Sequence, residues 1–258
     1  MRLYARTIGE TGDDLIILHG LFGSGDNWQT HAKYLSQWFK VTLIDQRNHG
    51  HSGHSDEMNY FVMSEDVNET MEFMGIHHAH VLGHSMGGKT AMYFAQAYPE
   101  KVVKLMVIDM GIKAYPPHHG PVFDAIHAVD IEHCTSRKEA ETRIAPFIPD
   151  FSTQQFILKN MYWIEDGRLA WRFNAPVLEQ SIDHILAALP NKSVSLPTLF
   201  LAGGKSNYIV SADHSFIFSQ FPLAKFQSIE NAGHWVHAEA PQEFLQMILS
   251  FLEVVKTD

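Results

Sequence analysis

Short apolar runs alternate with amphipathic helical patterns along this chain, and few architectures accept that order. The runs are LIILHG (15–20), KVTLIDQ (40–46), HVLGH (80–84) and VVKLMVIDM (102–110), with helices expected between them near 29–39, 61–74 and 87–98. A run with no polar alternation is a strand buried on both faces, so the order predicts a parallel sheet covered by helices. The helical periods are explicit. Met63, Val67, Met71 and Met74 recur at i, i+4, i+8, i+11, and Ala91, Phe94, Ala95 and Tyr98 at i, i+3, i+4, i+7. From about 111 to 190 the rhythm breaks into a turn-rich AYPPHHGP, short helical segments, and a hairpin, MYWIEDGRLAWRFN, expected to turn at Asp166-Gly167. After Pro190 the alternation resumes with PTLFLAG (197–203), a helix near 211–220 and AKFQSIE (224–230). A last helix carries Phe244, Ile248, Phe251 and Val255 on one face. The expected organisation is an α/β core formed by 1–110 and 190–258, with 111–189 inserted as a cap; 258 residues suffice for it.

The bulk properties exclude several partners. Nineteen Lys and Arg against twenty-nine Asp and Glu give a net charge of −10, with no basic run, which argues against nucleic acid and anionic membrane surfaces. The first residues hold no signal-peptide core and nowhere do eighteen apolar residues run together, so a cytoplasmic protein without membrane segments is expected, as a monomer or small homo-oligomer. Cys134 is the only cysteine; no intrachain disulfide is possible, and no activating basic cluster surrounds the thiol.

GHSMG (83–87) stands between an apolar strand and an amphipathic helix. A strand that turns this sharply into a helix holds its central serine in a strained conformation with the hydroxyl exposed, and side chains two residues either side would collide with the turn. Gly83 and Gly87 therefore have a steric role, and Ser85 is the candidate nucleophile; a helix-capping serine is the alternative. A serine hydroxyl needs a base within hydrogen-bond reach and an acid to orient that base. Seventeen histidines make number uninformative, but NAGHWVHAEAP places His234 directly after a strand, at the carboxyl edge of the sheet where ligands bind in such folds. His237 competes, as a supporting or surface residue. The loop after PTLFLAG reads GKSNYIV, offering Ser206 and Asn207 but no carboxylate. Asp109 ends an otherwise apolar run and needs a partner there. The acid is therefore assigned to Asp109, with Asp213 as the alternative. HGLFGSGDNW turns tightly after the first long strand, so the backbone N–H of Leu21, or secondarily of Phe22, together with that of Met86 at the helix start, are expected to bind an oxyanion. His19 is read as structural.

Taken together, HGLFGSGDNW, DQRNHGHS, GHSMGGKTAM, VIDM, WRFNAPVLEQ and NAGHWVHAEAP resemble the α/β-hydrolase fold family over essentially the full chain, and within it the small bacterial YbfF-type esterases. The resemblance implies an eight-stranded, mostly parallel sheet with a mainly helical cap inserted after the sixth strand. It further implies hydrolysis of carboxylic esters, including acyl-CoA thioesters, by a serine–histidine–aspartate triad that needs no cofactor. In that subgroup the acid follows the sixth strand, which favours Asp109; the broader family's aspartate is missing from GKSNYIV. Hydrolysis of carbon–carbon bonds or acyl transfer can use the same triad, and some relatives are receptors that sense small molecules. Arg47 could meet a substrate carboxylate or CoA phosphate, against a salt bridge such as one with Asp45 or a loop-holding contact. Phe22, Trp163, Trp171 and Trp235 could line an acyl pocket, the cap tryptophans equally well forming its own small core. The histidines at 49, 51, 54 and at 77, 78, 80 lack a metal-ligand pattern, so no metal is expected.

Overall fold

The computed structural model of the chain describes residues 1–164 and 167–254. Its strands are β1 (Ala5–Ile8), β2 (Asp13–Leu18), β3 (Phe39–Ile44), β4 (Ala79–His84), β5 (Val102–Ile108), β6 (Met161–Trp163), β7 (Leu169–Trp171), β8 (Thr198–Gly203) and β9 (Ala224–Ile229). Seven form one sheet in the order β1-β3-β2-β4-β5-β8-β9, with every neighbouring pair parallel except β1 against β3. The sheet thus has seven strands among the described residues where eight were expected. The residues ahead of β1 turn onto a helix instead of extending the edge: the Leu3 N–H donates to Thr70 Oγ1 (2.9 Å) and the terminal amino group pairs with Asp66.

The helices in chain order are α1 (Gln29–Leu35), α2 (Tyr60–Met74), α3 (Met86–Ala97), α4 (Gly120–Val129), α5 (Arg137–Ile144), α6 (Phe151–Leu158), α7 (Ala175–Gln180), α8 (Ile182–Leu186), α9 (His214–Gln220), α10 (Val236–Glu239) and α11 (Pro241–Phe251). The start and end of α2 have local causes. Asn59 caps it by accepting from the Val62 N–H (3.0 Å), and Gly75 ends it in the left-handed region at φ 70°. Period-two alternation sends β2 residues to both faces of the sheet. Ile16 and Leu18 join Val67, Met71 and Phe94 of α2 and α3, whereas Leu15 and Ile17 join Leu35, Phe244 and Ile248 of α1 and α11. Each such buried side chain contributes roughly 1.5–3 kcal/mol by leaving water, so the two layers hold the sheet from both sides.

Between β2 and β4 the strand order reverses: the chain leaves β2 toward β3 and returns across to β4. This switch leaves a crevice at the carboxyl ends of β2 and β4, where the HGLFG and GHSMG loops emerge. The segment from β5 to β8 carries α4 to α8 and the antiparallel pair β6–β7, with Met161 opposite Trp171. The expected turn at Asp166-Gly167 falls partly outside the described residues, as does Val255 of the last amphipathic face. Both ends of the segment are tied to α3 by one buried side chain. Lys89 Nζ donates to the carbonyls of Lys113 (2.9 Å), Leu186 (3.3 Å) and Ala187. Burial pushes this ammonium down to about 7, while the three carbonyls receive the protons of its charged form.

Candidate active site

Ser85 follows β4 at φ 53°, ψ −120°, outside the conformations a serine ordinarily adopts, and α3 begins at the next residue. The turn is held from both ends: the Ser85 N–H donates to the Ile108 carbonyl (3.1 Å), and its carbonyl accepts from Gly88 (2.8 Å) and Lys89 (3.1 Å). A Cβ on Gly83 would stand 2.1 Å from the Gly87 carbonyl oxygen, and one on Gly87 2.3 Å from that of Leu18. Only glycine fits at either place.

Asp109 leaves β5 with a positive φ of 48°, and its carboxylate is fully buried. One oxygen accepts from the Gly203 N–H (3.0 Å); the other accepts from His234 Nδ1 (2.7 Å) and from the Ser206 hydroxyl. A buried carboxylate with three donors is fixed in direction, and it sets the His234 tautomer by accepting the hydrogen bond from Nδ1–H, which leaves Nε2 as acceptor. Asp213 is engaged elsewhere, by Lys113 Nζ (2.7 Å) and the Val210 N–H (2.9 Å). The loop after β8 therefore supplies a hydroxyl to the acid, where a carboxylate was sought and not found. Tyr208, two residues on, stacks on the His234 imidazole (centroids 4.2 Å, 22°). His84, inside GHSMG, donates from Nε2 to the His234 carbonyl (2.9 Å), and burial pushes its pKa down to about 3, so it stays neutral. Ser206, Tyr208 and His84 were not singled out as functional by sequence reasoning. All three act through contacts between residues distant in the chain, for which no sequence spacing is diagnostic.

The loop after β2 is pinned by neutral histidines. His19 Nδ1 donates to the Gly20 carbonyl (2.8 Å) and its Nε2 accepts from the Gln46 N–H (2.9 Å); His49 Nδ1 donates to the Arg47 carbonyl (2.8 Å). Burial lowers these imidazoles to about 4 and about 3 respectively. His49 Nε2 in turn accepts from the Phe22 N–H (3.1 Å), so that amide is already committed. Phe22 itself lies at φ 59°. The Leu21 N–H has no protein acceptor among the described residues, and that of Met86 is the first of α3, where a helix amide has no partner within the helix.

Ser85, His234, Leu21, Phe22, Trp235 and Tyr208 line one cavity of about 170 Å³. Three expected substrate contacts are placed elsewhere. Arg47 is buried in a two-point pair with Asp66 (2.6 and 2.9 Å) and also donates to the Glu57 carbonyl, because the loop after β3 folds over it. Asp45, suggested as its partner, instead accepts from the N–H groups of Gly25 (2.6 Å) and His51 (2.8 Å). Trp163 is 58% exposed, and Trp171 stacks on Phe173 (5.1 Å, 13°) beside a separate cavity. His237 is buried against Trp28 (4.1 Å, 16°) rather than at the surface, and Cys134 is a buried free thiol. Among the described residues no three His, Cys, Asp or Glu side chains could jointly hold a metal ion, and no helix is long and apolar enough to cross a membrane.

Residues 14–132 match the model of the α/β-hydrolase fold family. The chain is 38% identical over 92% of its length to the sn-1-specific diacylglycerol lipase ABHD11 of Mus musculus, covering 80% of that protein. The chain belongs to the α/β-hydrolase family. It is also 35% identical to Esterase YbfF of Escherichia coli, over 92% of this chain and 91% of the other chain's length. A solved marine microorganism esterase superposes with a TM-score of 0.95 at 41% identity, over 97% of this chain and 99% of that one. These relatives are esterases and a lipase, which supports ester hydrolysis by this α/β-hydrolase as well.

Proposed function

We propose that the chain is a serine hydrolase of carboxylic esters and acyl-CoA thioesters, with Ser85 as nucleophile, His234 as general base and acid, and Asp109 as the orienting acid. The observation that carries this reading is the 2.7 Å contact of buried Asp109 with His234 Nδ1, in a cavity that His234 shares with Ser85. Ser85 Oγ attacks the acyl carbonyl while His234 Nε2 takes its proton; the carbon–oxygen or carbon–sulfur bond then breaks, and the leaving group takes that proton from His234. Water, deprotonated by the same Nε2, attacks the acyl-enzyme; the bond between the acyl carbon and Ser85 Oγ breaks, Oγ takes the proton back from His234, and the acid is freed. The Leu21 and Met86 N–H groups receive the developing oxyanion, Phe22 being excluded by its bond to His49. The Met86 amide adds the positive end of the α3 dipole. Residues 111–189 act as a cap over the core formed by 1–110 and 190–258, bringing Val122, Thr153, Phe156 and Ile157 to the cavity.

The test is kcat/KM over p-nitrophenyl esters and acyl-CoAs for the native protein and Ser85→Ala. Turnover that falls on the order of 10⁴-fold or more in the variant is expected; equal turnover by the two proteins would contradict the assignment.

A further inference from the structure

Two hollows are lined by Ser85 and a third lies next to one of them, and they differ in size and wall chemistry. Behind the serine is a niche of about 20 Å³, walled by Leu21, Tyr60, Met86, Met110, Ile185 and Leu186 among others. Its hydroxyls are committed: Tyr60 donates to the Ile185 carbonyl (2.7 Å), and Tyr115 donates to the Tyr208 carbonyl (2.7 Å) while accepting from the Gly111 N–H (2.8 Å). The Tyr208 hydroxyl is likewise engaged, by His118 Nε2 (2.6 Å), so the niche offers the serine mainly apolar side chains and one polar group, the His119 imidazole, whose buried Nδ1 has no partner among the described residues. A hollow of this size exceeds only slightly the roughly 10–15 Å³ that one water-sized probe occupies, and so holds about one methyl group.

Beside the reaction cavity, across the walls formed by Phe156 and Trp235, lies a groove of about 500 Å³. Phe156 and Trp235 line both hollows, and their rings touch at 4.4 Å between centroids. Phe151, 63% exposed, extends the aromatic wall outward, and Ala238 and Glu239 close the far side. The Glu239 carboxylate is taken up by the N–H groups of Gly233 (2.8 Å) and Trp235 (3.2 Å), which fixes the loop carrying His234.

Reaction stereochemistry assigns the two hollows. His234 has to protonate the leaving atom, so the leaving group departs on the side of His234, whose chain neighbour Trp235 opens the groove. The acyl chain points away from the leaving group, toward the niche beside Met86. Resting on the esterase reading above, we infer that the enzyme selects short unbranched acyl groups, acetyl or propionyl, esterified to a bulky apolar or aromatic alcohol. Ile185 and Met110 set the acyl limit; Phe156 and Trp235 hold the alcohol.

Two series of esters separate the sides. With p-nitrophenol as the common leaving group, acetate is expected to exceed octanoate in kcat/KM by about ten-fold or more, as each misfitting methylene pair costs in a closed apolar pocket. Ile185→Ala, and independently Met110→Ala, should move that ratio toward butyrate and octanoate; because a ratio within one protein is read, partial loss of folded enzyme does not enter. With acetate as the common acyl group, 2-naphthyl acetate should exceed phenyl acetate, whose leaving group has similar acidity, and Phe156→Ala should level the two. Octanoate preferred by the native enzyme, or niche variants that leave the acyl ratio unmoved, would overturn the inference while leaving the esterase intact. No turnover of any ester by the native protein would overturn the esterase reading and the inference with it.

Discussion

The carboxyl edge of the sheet and the segment joining β5 to β8 are built on different principles. At the edge, four successive strand exits carry a non-glycine residue at positive φ: Phe22 after β2 (59°), Asn48 after β3 (63°), Ser85 after β4 (53°) and Asp109 after β5 (48°). Such backbones cost on the order of 1–3 kcal/mol each and persist only where surroundings over-determine them. Those surroundings are buried polar groups, including His19, Asp45, Gln46, His49, His84 and Asp109, nearly all with named hydrogen-bond partners. Among its described residues the connecting segment has one such residue, Asp130 (46°), ending α4, where aspartate tolerates the conformation. Its ion pairs include His133 with Asp130 and His127 with Glu179, both largely solvated, and Phe147, Phe151 and Trp163 are exposed. Strain and buried polarity fix the proposed reacting groups, while the connecting segment is shaped mainly by apolar packing, with Asn160 Nδ2 donating to the Phe22 carbonyl (2.8 Å) as a buried polar tie to the edge.

The sharpest way to break this contrast is Asp109→Asn. An amide in that position donates as well as accepts and cannot balance an imidazolium, so kcat should fall by about 10⁴-fold. Asp213→Asn should leave kcat within about two-fold, since it removes only a partly exposed pair with Lys113. A reversed pattern would reassign the acid.

Acid titration probes the edge as a whole. His19, His49 and His84 are held neutral, with pKa values lowered to about 4, 3 and 3 against 6.5. Between pH 6.5 and those values the unfolded chain binds protons that the folded one does not, so stability is complete above 6.5 and is lost as pH falls. With about three protons taken up on unfolding, the loss approaches about 4 kcal/mol per pH unit at its steepest. Urea unfolding at pH 7, 6 and 5 measures it; a midpoint independent of pH over that range would show that these imidazoles are not buried neutral.

Arg47 separates structure from substrate binding. Arg47→Met leaves the Asp66 carboxylate buried beside only the terminal amino group, and is expected to cost about 3–5 kcal/mol in urea while leaving KM for uncharged esters unchanged. A raised KM at unaltered stability would restore Arg47 to the substrate. Smallest of all is Trp163→Ala. With the side chain in solvent, stability should stay within about 0.5 kcal/mol and kcat/KM should not move, by the same two assays.

Legibility in the sequence follows the same division. Runs such as LIILHG and HVLGH announce strands because burial on both faces removes polar alternation, and the Gly83 and Gly87 positions announce a turn because backbone crowding admits nothing larger. Asp109 was conspicuous as a charge ending an apolar run; its carboxylate indeed contacts His234. β1, by contrast, has no signature: Ala-Arg-Thr-Ile is a strand because β3 offers it an edge to pair with. Ser206, Tyr208 and His84 depend on contacts formed only when the ends of β4, β5 and β8 and the loop after β9 are brought together. Which face of the β6–β7 hairpin would turn toward Ser85 could not be told from alternation, since either face satisfies it; the fold turned Trp171 toward Phe173.

The most direct test of the central claim is to inhibit the protein with diethyl p-nitrophenyl phosphate and map the modified peptide. The account predicts one diethylphosphoryl group per chain, on Ser85, with esterase activity lost in proportion to labelling, and no labelling of Ser85→Ala. Activity that survives full modification of Ser85, or disappears while Ser85 remains unmodified, would contradict it.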